Sequence, residues 1–307
     1  MVQACINYRN RNLGRALTRA RITIPAGDHQ MVRIRTIWLI YEPLGSYAHP
    51  SFRFIEGRPV ISGYTGKVGE TSGMKPADII TELDGVAIVK LIESWSRYYA
   101  ASNEPTRLRD IGMQMTRGEC GKAMIRVSRN NSAIEISAER VPLKELNITF
   151  THDLPGETFR LLSKDVAYLK LSSVKLDQAA KYVESAAGTK GLIVDIRNYP
   201  SEFVVFALGS LFVDKQTDFV RFTQPDLSNP GAFHFSAPLS LGPQQLHYSG
   251  RVVILVDEVS QSQAEYTTMA FRSSRRAVVI GSTTAGADGN VSAIPLPAAQ
   301  IEKMIRP

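Results

Sequence analysis

The chain has 307 residues, 44% of them hydrophobic and 21% charged, with 36 Lys+Arg against 29 Asp+Glu. That length and apolar content suit one large domain or two with a sizeable core, which sets aside global disorder, and no apolar run approaches the ~20 residues of a bilayer-crossing helix. The net charge of +7 is concentrated at one end: residues 1–60 hold nine arginines and no lysine against three acids, a local +6, so the other 247 residues carry +1. No aromatic platform is interleaved with those arginines, so they read as a solvated arm or helix face and no nucleic-acid partner is expected.

Residues 1–50 are weakly patterned, with one apolar run, Ile37-Trp38-Leu39-Ile40-Tyr41, of strand type. From Phe52 the pattern sharpens. Phe52-x-Phe54, the Glu56-Gly57 turn and Val60-Ile61 predict a hairpin, with Pro59 marking its strand as an edge. Ile79-Ile80-x-x-Leu83-Asp84-Gly85 is a short strand closed by a turn, and Ile88, Leu91, Ile92, Trp95 and Tyr99 recur at helical spacing. Ala123-x-Ile125-x-Val127 and Ile134-x-Ile136 flank Arg129-Asn130-Asn131-Ser132, which has hairpin-turn composition. A small β-rich module over 51–142 follows from these signals.

From Leu146 strands alternate with helices, the pattern of an α/β domain over 146–307. Val166 to Leu171 is a strand, and Leu176, Ala179, Ala180 and Val183 form the stripe of the next helix. Gly191 to Ile196 and Val252 to Val256 are continuous apolar runs, as expected of strands covered on both faces. Phe203 to Phe212 and Ala264 to Phe271 are expected as helices, and Ala277 to Ile280 as a third central strand. The two cysteines, Cys5 and Cys120, form no C-x-x-C pair and no disulfide framework, and residues 1–9 show no secretory signal.

Chemistry concentrates in Asp257-Glu258-Val259-Ser260-Gln261-Ser262-Gln263-Ala264-Glu265, where a buried strand passes through a polar turn into a helix. Ser262 at that helix N-terminus is either an N-cap or a nucleophile favoured by free amide N–H groups and the positive dipole end. Glu265, three residues on, either fills a capping box with Ser262 or orients a base. Asp195-x-Arg197, at the end of a predicted strand, reads as a structural ion pair. Gly281 to Asn290 fits neither G-x-G-x-x-G nor G-x-x-x-x-G-K-[ST], so no phosphate-binding loop is expected, and no cofactor or metal is implied.

The stretch from Phe52 to about Pro297 resembles the C-terminal processing peptidases, the tail-specific serine proteases that join a PDZ domain to a crotonase-like core. Ser260-Gln261-Ser262-Gln263-Ala264-Glu265 is similar to that family's Ser-Ala-Ser-Ala-Ser-Glu motif, whose middle serine attacks the peptide carbonyl. Gly73-Met74-Lys75-Pro76-Ala77-Asp78-Ile79-Ile80 with Leu83-Asp84-Gly85 resembles the PDZ pattern Gly-Leu-x-x-Gly-Asp-x-Ile, with Ala77 where the family has Gly. Gly191 to Pro200 resembles Gly-x-Ile-x-Asp-Leu-Arg-x-Asn-Pro-Gly-Gly, with Ser201 and Glu202 replacing the two glycines. The resemblance implies an α/β crotonase-like (ClpP/crotonase) catalytic core preceded by a small PDZ-like domain, and relatives continue with further strands past Ala-Asp-Gly-Asn, so a C-terminally truncated core is expected.

The implied activity is peptide-bond cleavage by Ser262, with oxyanion amides among Ser262, Ser201 and Glu202 and with protein or peptide substrates bound by their C-terminal tails. Residue 287, where the lysine-dependent branch carries its base, is Ala. The Thr-Ala-Gly-Ala-Asp-Gly-Asn form resembles a lysine-lacking branch that uses histidine. Of His29, His49, His152, His234 and His247, the Asp28-His29 element ahead of the module makes His29 the first candidate base. The alternative is a catalytically silent homologue that binds peptides. By resemblance the compartment is the bacterial envelope or periplasm, with the cytoplasm as the alternative.

Overall fold

The computed structural model describes residues 45–46, 49–65, 73–113, 115, 117–118, 121–142 and 154–289. The chain divides into two units, one within residues 1–150 and the other spanning 151–289. His29, His152 and the Ile37–Tyr41 run lie outside the described residues.

The first unit contains strands β1 (Gly45–Ser46), β2 (His49–Ile55), β3 (Arg58–Thr65), β4 (Ile79–Leu83) and β5 (Val86–Ala87), helices α1 (Ile88–Ser96) and α2 (Glu104–Gly112), then β6 (Arg117–Gly118), β7 (Gly121–Arg129) and β8 (Ser132–Pro142). They form a sheet of order β2-β3-β4-β7-β8-β1-β6, with β5 on β4. Period-two patterning drives it. Ala123, Ile125 and Val127 of β7 are fully buried against Ile80, Ile88 and Ile111, whereas Met124 between them is exposed.

Both hairpins turn through two left-handed residues, Glu56-Gly57 (φ 51° and 74°) and Asn130-Asn131 (φ 51° and 63°), which matches the twist of the flanking strands. One expectation is corrected: β3 is not an edge, because it lies between β2 and β4. Its ladder with β4 is the single pair Val60–Ile79, so the missing N–H of Pro59 falls where β4 offers no partner. Helix α2 was not anticipated, although Asn103 is a readable N-cap whose side chain accepts the Thr106 N–H at 3.0 Å, with Pro105 in the first turn.

The loop leading into β4 is clamped by charge. Asp78, 1% exposed, accepts both Arg129 Nε and Nη2 at 2.7 Å and the Lys75 amide at 2.7 Å, while Arg129 Nη2 also donates to the Gly73 carbonyl at 2.8 Å. Desolvation would raise the Asp78 carboxyl, but these bonds outweigh it and hold the group below its usual range. Ala77, beside it, sits at φ 73°, a conformation that favours glycine.

The second unit runs β9 (Phe159–Ser163), β10 (Val166–Lys170), α3 (Ala179–Ser185), β11 (Gly191–Asp195), α4 (Val205–Gly209), β12 (Thr217–Val220), β13 (Thr223–Pro225), β14 (Phe233–Phe235), β15 (Leu239–Leu241), β16 (Arg251–Val256), α5 (Gln263–Arg272) and β17 (Ala277–Gly281). Its main sheet has the order β17-β16-β11-β10-β9, parallel throughout except for antiparallel β9. This is the α/β layering expected from the alternating pattern.

Two details differ from expectation. Burial along β11 and β16 alternates, with Leu192, Val194, Val252 and Ile254 sealed and Ile193, Val253 and Leu255 between and beside them only half-buried, so one face of the sheet is closed more completely than the other. The helix expected over Phe203 to Phe212 is the short α4, and Phe203 and Phe206 beside and within it are exposed. The two small ladders β12–β15 and β13–β14 had no clear signal, being three or four residues long.

Candidate active site

Because β10, β11, β16 and β17 are parallel, the loops that follow them all leave at one edge of the sheet, which is where open α/β sheets place ligands. Side chains knit these loops together. Ser260, fully buried, donates Oγ to the Ile196 carbonyl at 2.6 Å, joining the turn after β16 to the end of β11. Ser201 donates its amide to the Leu171 carbonyl at 2.9 Å and its Oγ to the Val174 carbonyl at 2.7 Å, joining the loop after β11 to the segment after β10. The Ala285 amide donates to the Ser260 carbonyl at 3.0 Å, which brings in the loop after β17. Gly281, at the start of that loop, has φ 136°, and a Cβ there would meet the Val256 carbonyl oxygen at 1.8 Å, so no other residue fits.

The structure thereby separates the two serines of Ser260-Gln261-Ser262. Ser260 is a buried tie. Ser262, half-buried, stands at the turn into α5 with φ 54° and ψ −119°. An ordinary N-cap adopts the β region, whereas this backbone is one that L-residues avoid at a cost of about 1–3 kcal/mol and that concentrates at functional turns. A serine on a strained strand-to-helix turn is the geometry that lifts a nucleophilic hydroxyl out of the backbone.

Glu265 maintains that turn. Its carboxylate, 9% exposed, accepts four donors: the Ser262 amide at 3.1 Å, Thr284 Oγ1 at 2.7 Å, the Gly286 amide at 2.7 Å and the Ala287 amide at 2.9 Å. The Ser262 amide is also 3.0 Å from the Ala287 carbonyl. Of the two roles left open by spacing, the structure displays the capping one: Glu265 bonds back to the Ser262 amide and to the 284–287 loop, and among the described residues to no histidine.

The expected oxyanion donors need correction on the same ground. The Ser262 amide is turned inward by its positive φ toward Glu265 and Ala287, and the Ser201 amide is taken by Leu171. Among the described residues, the Glu202 and Gln263 amides have no acceptor. Gln263 directly follows Ser262, and its side-chain Nε2 donates to the Glu202 carbonyl at 3.0 Å, so the two amides are held by one residue. The Glu202 carboxylate faces away, bound to Lys175 Nζ at 2.9 Å and the Leu176 amide at 2.7 Å.

Asp195 and Arg197 form the expected strand-end pair, with Arg197 Nη2 2.7 Å from Asp195 Oδ2 and Nε 3.0 Å from Oδ1. Sequence reading missed a third partner: Tyr168 donates its hydroxyl to Asp195 Oδ2 at 2.8 Å from the adjacent strand β10. Burial and the Asp195 charge push the Tyr168 phenol up to about 12. Burial also opposes ionisation of Asp195, but the bonds from Arg197 and Tyr168 prevail and hold it low. Of the histidines, His234 in β14 is exposed with Nε2 3.1 Å from Gln224 Oε1, His247 is exposed, and neither hydrogen-bonds Ser262.

The profile of peptidase family S41 matches residues 165–306. A probable CtpA-like serine protease of Staphylococcus haemolyticus (strain JCSC1435) is 24% identical over 223 residues, covering 71% of this chain. The chain spans only 39% of the length of that relative. Mature CPAF superposes with a TM-score of 0.61 over 83% of this chain and 72% of its own, at 15% identity. CPAF complexed with lactacystin gives 0.60 over 83% and 73%, at 14% identity. This shared fold agrees with a crotonase-like core, and the matched segment 165–306 contains β16, Ser262 and α5. Residues 165–306 are thus similar to peptidase family S41, and the relative that matches over 223 residues is a probable serine protease.

Proposed function

We propose that the chain is a serine endopeptidase of the C-terminal processing type in which Ser262 attacks the peptide carbonyl. The observation that carries this reading is the backbone of Ser262, φ 54° and ψ −119°, kept in place by the four-way acceptor Glu265. A serine needed only as a helix cap has no reason to occupy that conformation.

In the proposed reaction Ser262 Oγ bonds to the scissile carbonyl carbon and gives its proton to a histidine, for which His29 is the first candidate. The carbonyl oxygen becomes an oxyanion facing the Glu202 and Gln263 amides. Collapse expels the amine, protonated by the same histidine, and water then releases the acyl group by the reverse sequence. Asp195 and Arg197 brace the end of β11 beside the Glu202 loop and take no part in proton transfer. The first unit is read as PDZ-like, adding an extended substrate tail to a sheet edge and presenting it to the second.

A fluorophosphonate probe applied to the full chain tests the reading. Labelling confined to Ser262, absent in a folded Ser262→Ala variant together with peptide cleavage, is the expected result. A folded protein that takes no label is instead a silent peptide binder. Full cleavage after His29→Ala would assign the base to another residue.

A further inference from the structure

Tyr266, one helical turn past Ser262, is the hub of five aromatic rings. Its centroid lies 6.1 Å from Phe203, 5.4 Å from Phe219 and 5.9 Å from Phe222. Phe206 completes the set at 6.0 Å from Phe203 and 5.9 Å from Phe219. Rings that serve only the core of this unit behave differently: Phe212 and Phe271 meet edge-to-face at 5.0 Å and are both fully buried. In the Tyr266 cluster, by contrast, Phe203 is 49% exposed, Phe206 40% and Phe222 41%. A contiguous aromatic surface left open to water carries a hydrophobic penalty that a ligand side chain would remove.

This surface meets the nucleophile's surroundings on two sides. Tyr266 belongs to the helix that Ser262 begins, and Phe203 follows Glu202, whose carbonyl is tied to Gln263. Burial, and after it the Asp288 charge, push the Tyr266 phenol up, while burial and the Glu265 charge push the Asp288 carboxyl up. A carboxylate or a lysine side chain is disfavoured there by the loss of its hydration against the aromatic rings.

We infer that the Phe203–Phe206–Phe222 surface, grouped around the buried Tyr266, receives the side chain of the substrate residue whose carbonyl Ser262 attacks, and that this residue is large and apolar. The inference rests on the peptidase reading above and adds the substrate class. An aromatic side chain offers about 150–250 Å² for burial against these rings.

Three serine-directed probes separate the outcomes: a small alkyl fluorophosphonate, and two peptide diphenyl phosphonates carrying a benzyl or a carboxymethyl side chain at the phosphonate residue. The benzyl probe is expected to label Ser262 about 100-fold faster than the carboxymethyl probe. Phe206→Ser and Phe222→Ser are each expected to slow the benzyl probe by about 10-fold and to change the small probe by no more than about 2-fold. Equal rates for the two peptide probes, with the small probe still labelling, would overturn the inference and leave the peptidase reading standing. No labelling by any probe overturns both. If the variants leave selectivity intact and instead convert a dimer to a monomer in sedimentation, the surface is a contact between copies and the inference fails.

Discussion

Glu265 Oε2 accepts the Ser262 amide at 3.1 Å and the Ala287 amide at 2.9 Å, so one carboxylate oxygen spans the first residue of the α5 turn and the loop after β17. The negative group sits at the N-terminus of α5, where the helix dipole favours it. The turn that bears the proposed nucleophile is in this way built around a charge that is itself buried.

Replacing that charge has a defined cost. Glu265→Ala leaves the Gly286 and Ala287 amides without their acceptor and removes a bond from the Thr284 hydroxyl and from the Ser262 amide, which keeps the Ala287 carbonyl; a buried donor left unsatisfied costs about 1–3 kcal/mol. Urea unfolding followed by circular dichroism should show a loss of at least about 2 kcal/mol, and the fluorophosphonate should no longer label Ser262. Glu265→Gln keeps one acceptor oxygen and should fall between. Wild-type stability in Glu265→Ala would mean the four bonds contribute nothing.

The conformation of Ser262 predicts an unusual ranking of two variants. Ser262→Ala keeps a Cβ at φ 54° and should match the parent in stability, whereas Ser262→Gly relieves the strained backbone. After the unfolded-state entropy of glycine is subtracted, the glycine variant should still be the more stable by about 1 kcal/mol. Denaturation midpoints of the two, compared at equal slope, decide it; the reverse order would remove the strain argument.

Ala77 poses the same question in the first unit. At φ 73° it occupies a left-handed position where the family motif has glycine, next to the Asp78–Arg129 clamp. Ala77→Gly should stabilise the chain by about 0.5–1 kcal/mol, against the usual penalty for introducing glycine. Thermal unfolding of the full chain measures it, and a lower midpoint would contradict the prediction.

Tyr168 and Asp195 give the stability two pH limits. Burial and its bond to Asp195 raise the Tyr168 phenol from 10.0 to about 12, so the stability it contributes is present below pH 10 and is lost as pH rises toward 12. Asp195 is lowered from 3.8 despite burial, so its contribution is present above that value and is lost as pH falls through the depressed one. Tyr168→Phe should therefore flatten the alkaline limb of a stability profile and, by removing one of the bonds that lower Asp195, weaken the acid limb too. An unchanged profile in that variant would show that the pair does not govern either limb.

Much of the layout was legible from pattern. The hairpin Ala123–Val127 with Ile134–Ile136 appears as β7 and β8, because period-two burial leaves no other register. The strand Gly191–Ile196, the strand Val252–Val256 and the helix after Ser262 were readable for the same reason, a continuous apolar run ended by polar turn residues. Helix α2 was missed although its Asn103 cap was in view, since its apolar stripe is thin. The strands β12 to β15 were missed because pieces of three or four residues carry too little periodicity to stand out.

What the sequence determined by itself was the list of parts: a β-rich module, an α/β unit, and a serine motif at a helix start. Contacts between residues such as Ser201 and Leu171, or Ser260 and Ile196, far apart in the chain, decided the rest. That Ser260 is a tie and Ser262 the strained residue depends on the Ile196 carbonyl, 64 positions away. That Ser201 and the Ser262 amide are spent on Leu171, Glu265 and Ala287, leaving Glu202 and Gln263, depends on how four strand ends converge. Periodicity reports which face of an element is apolar, but a hydrogen-bond donor is free or taken only once the acceptor from another strand has been brought beside it.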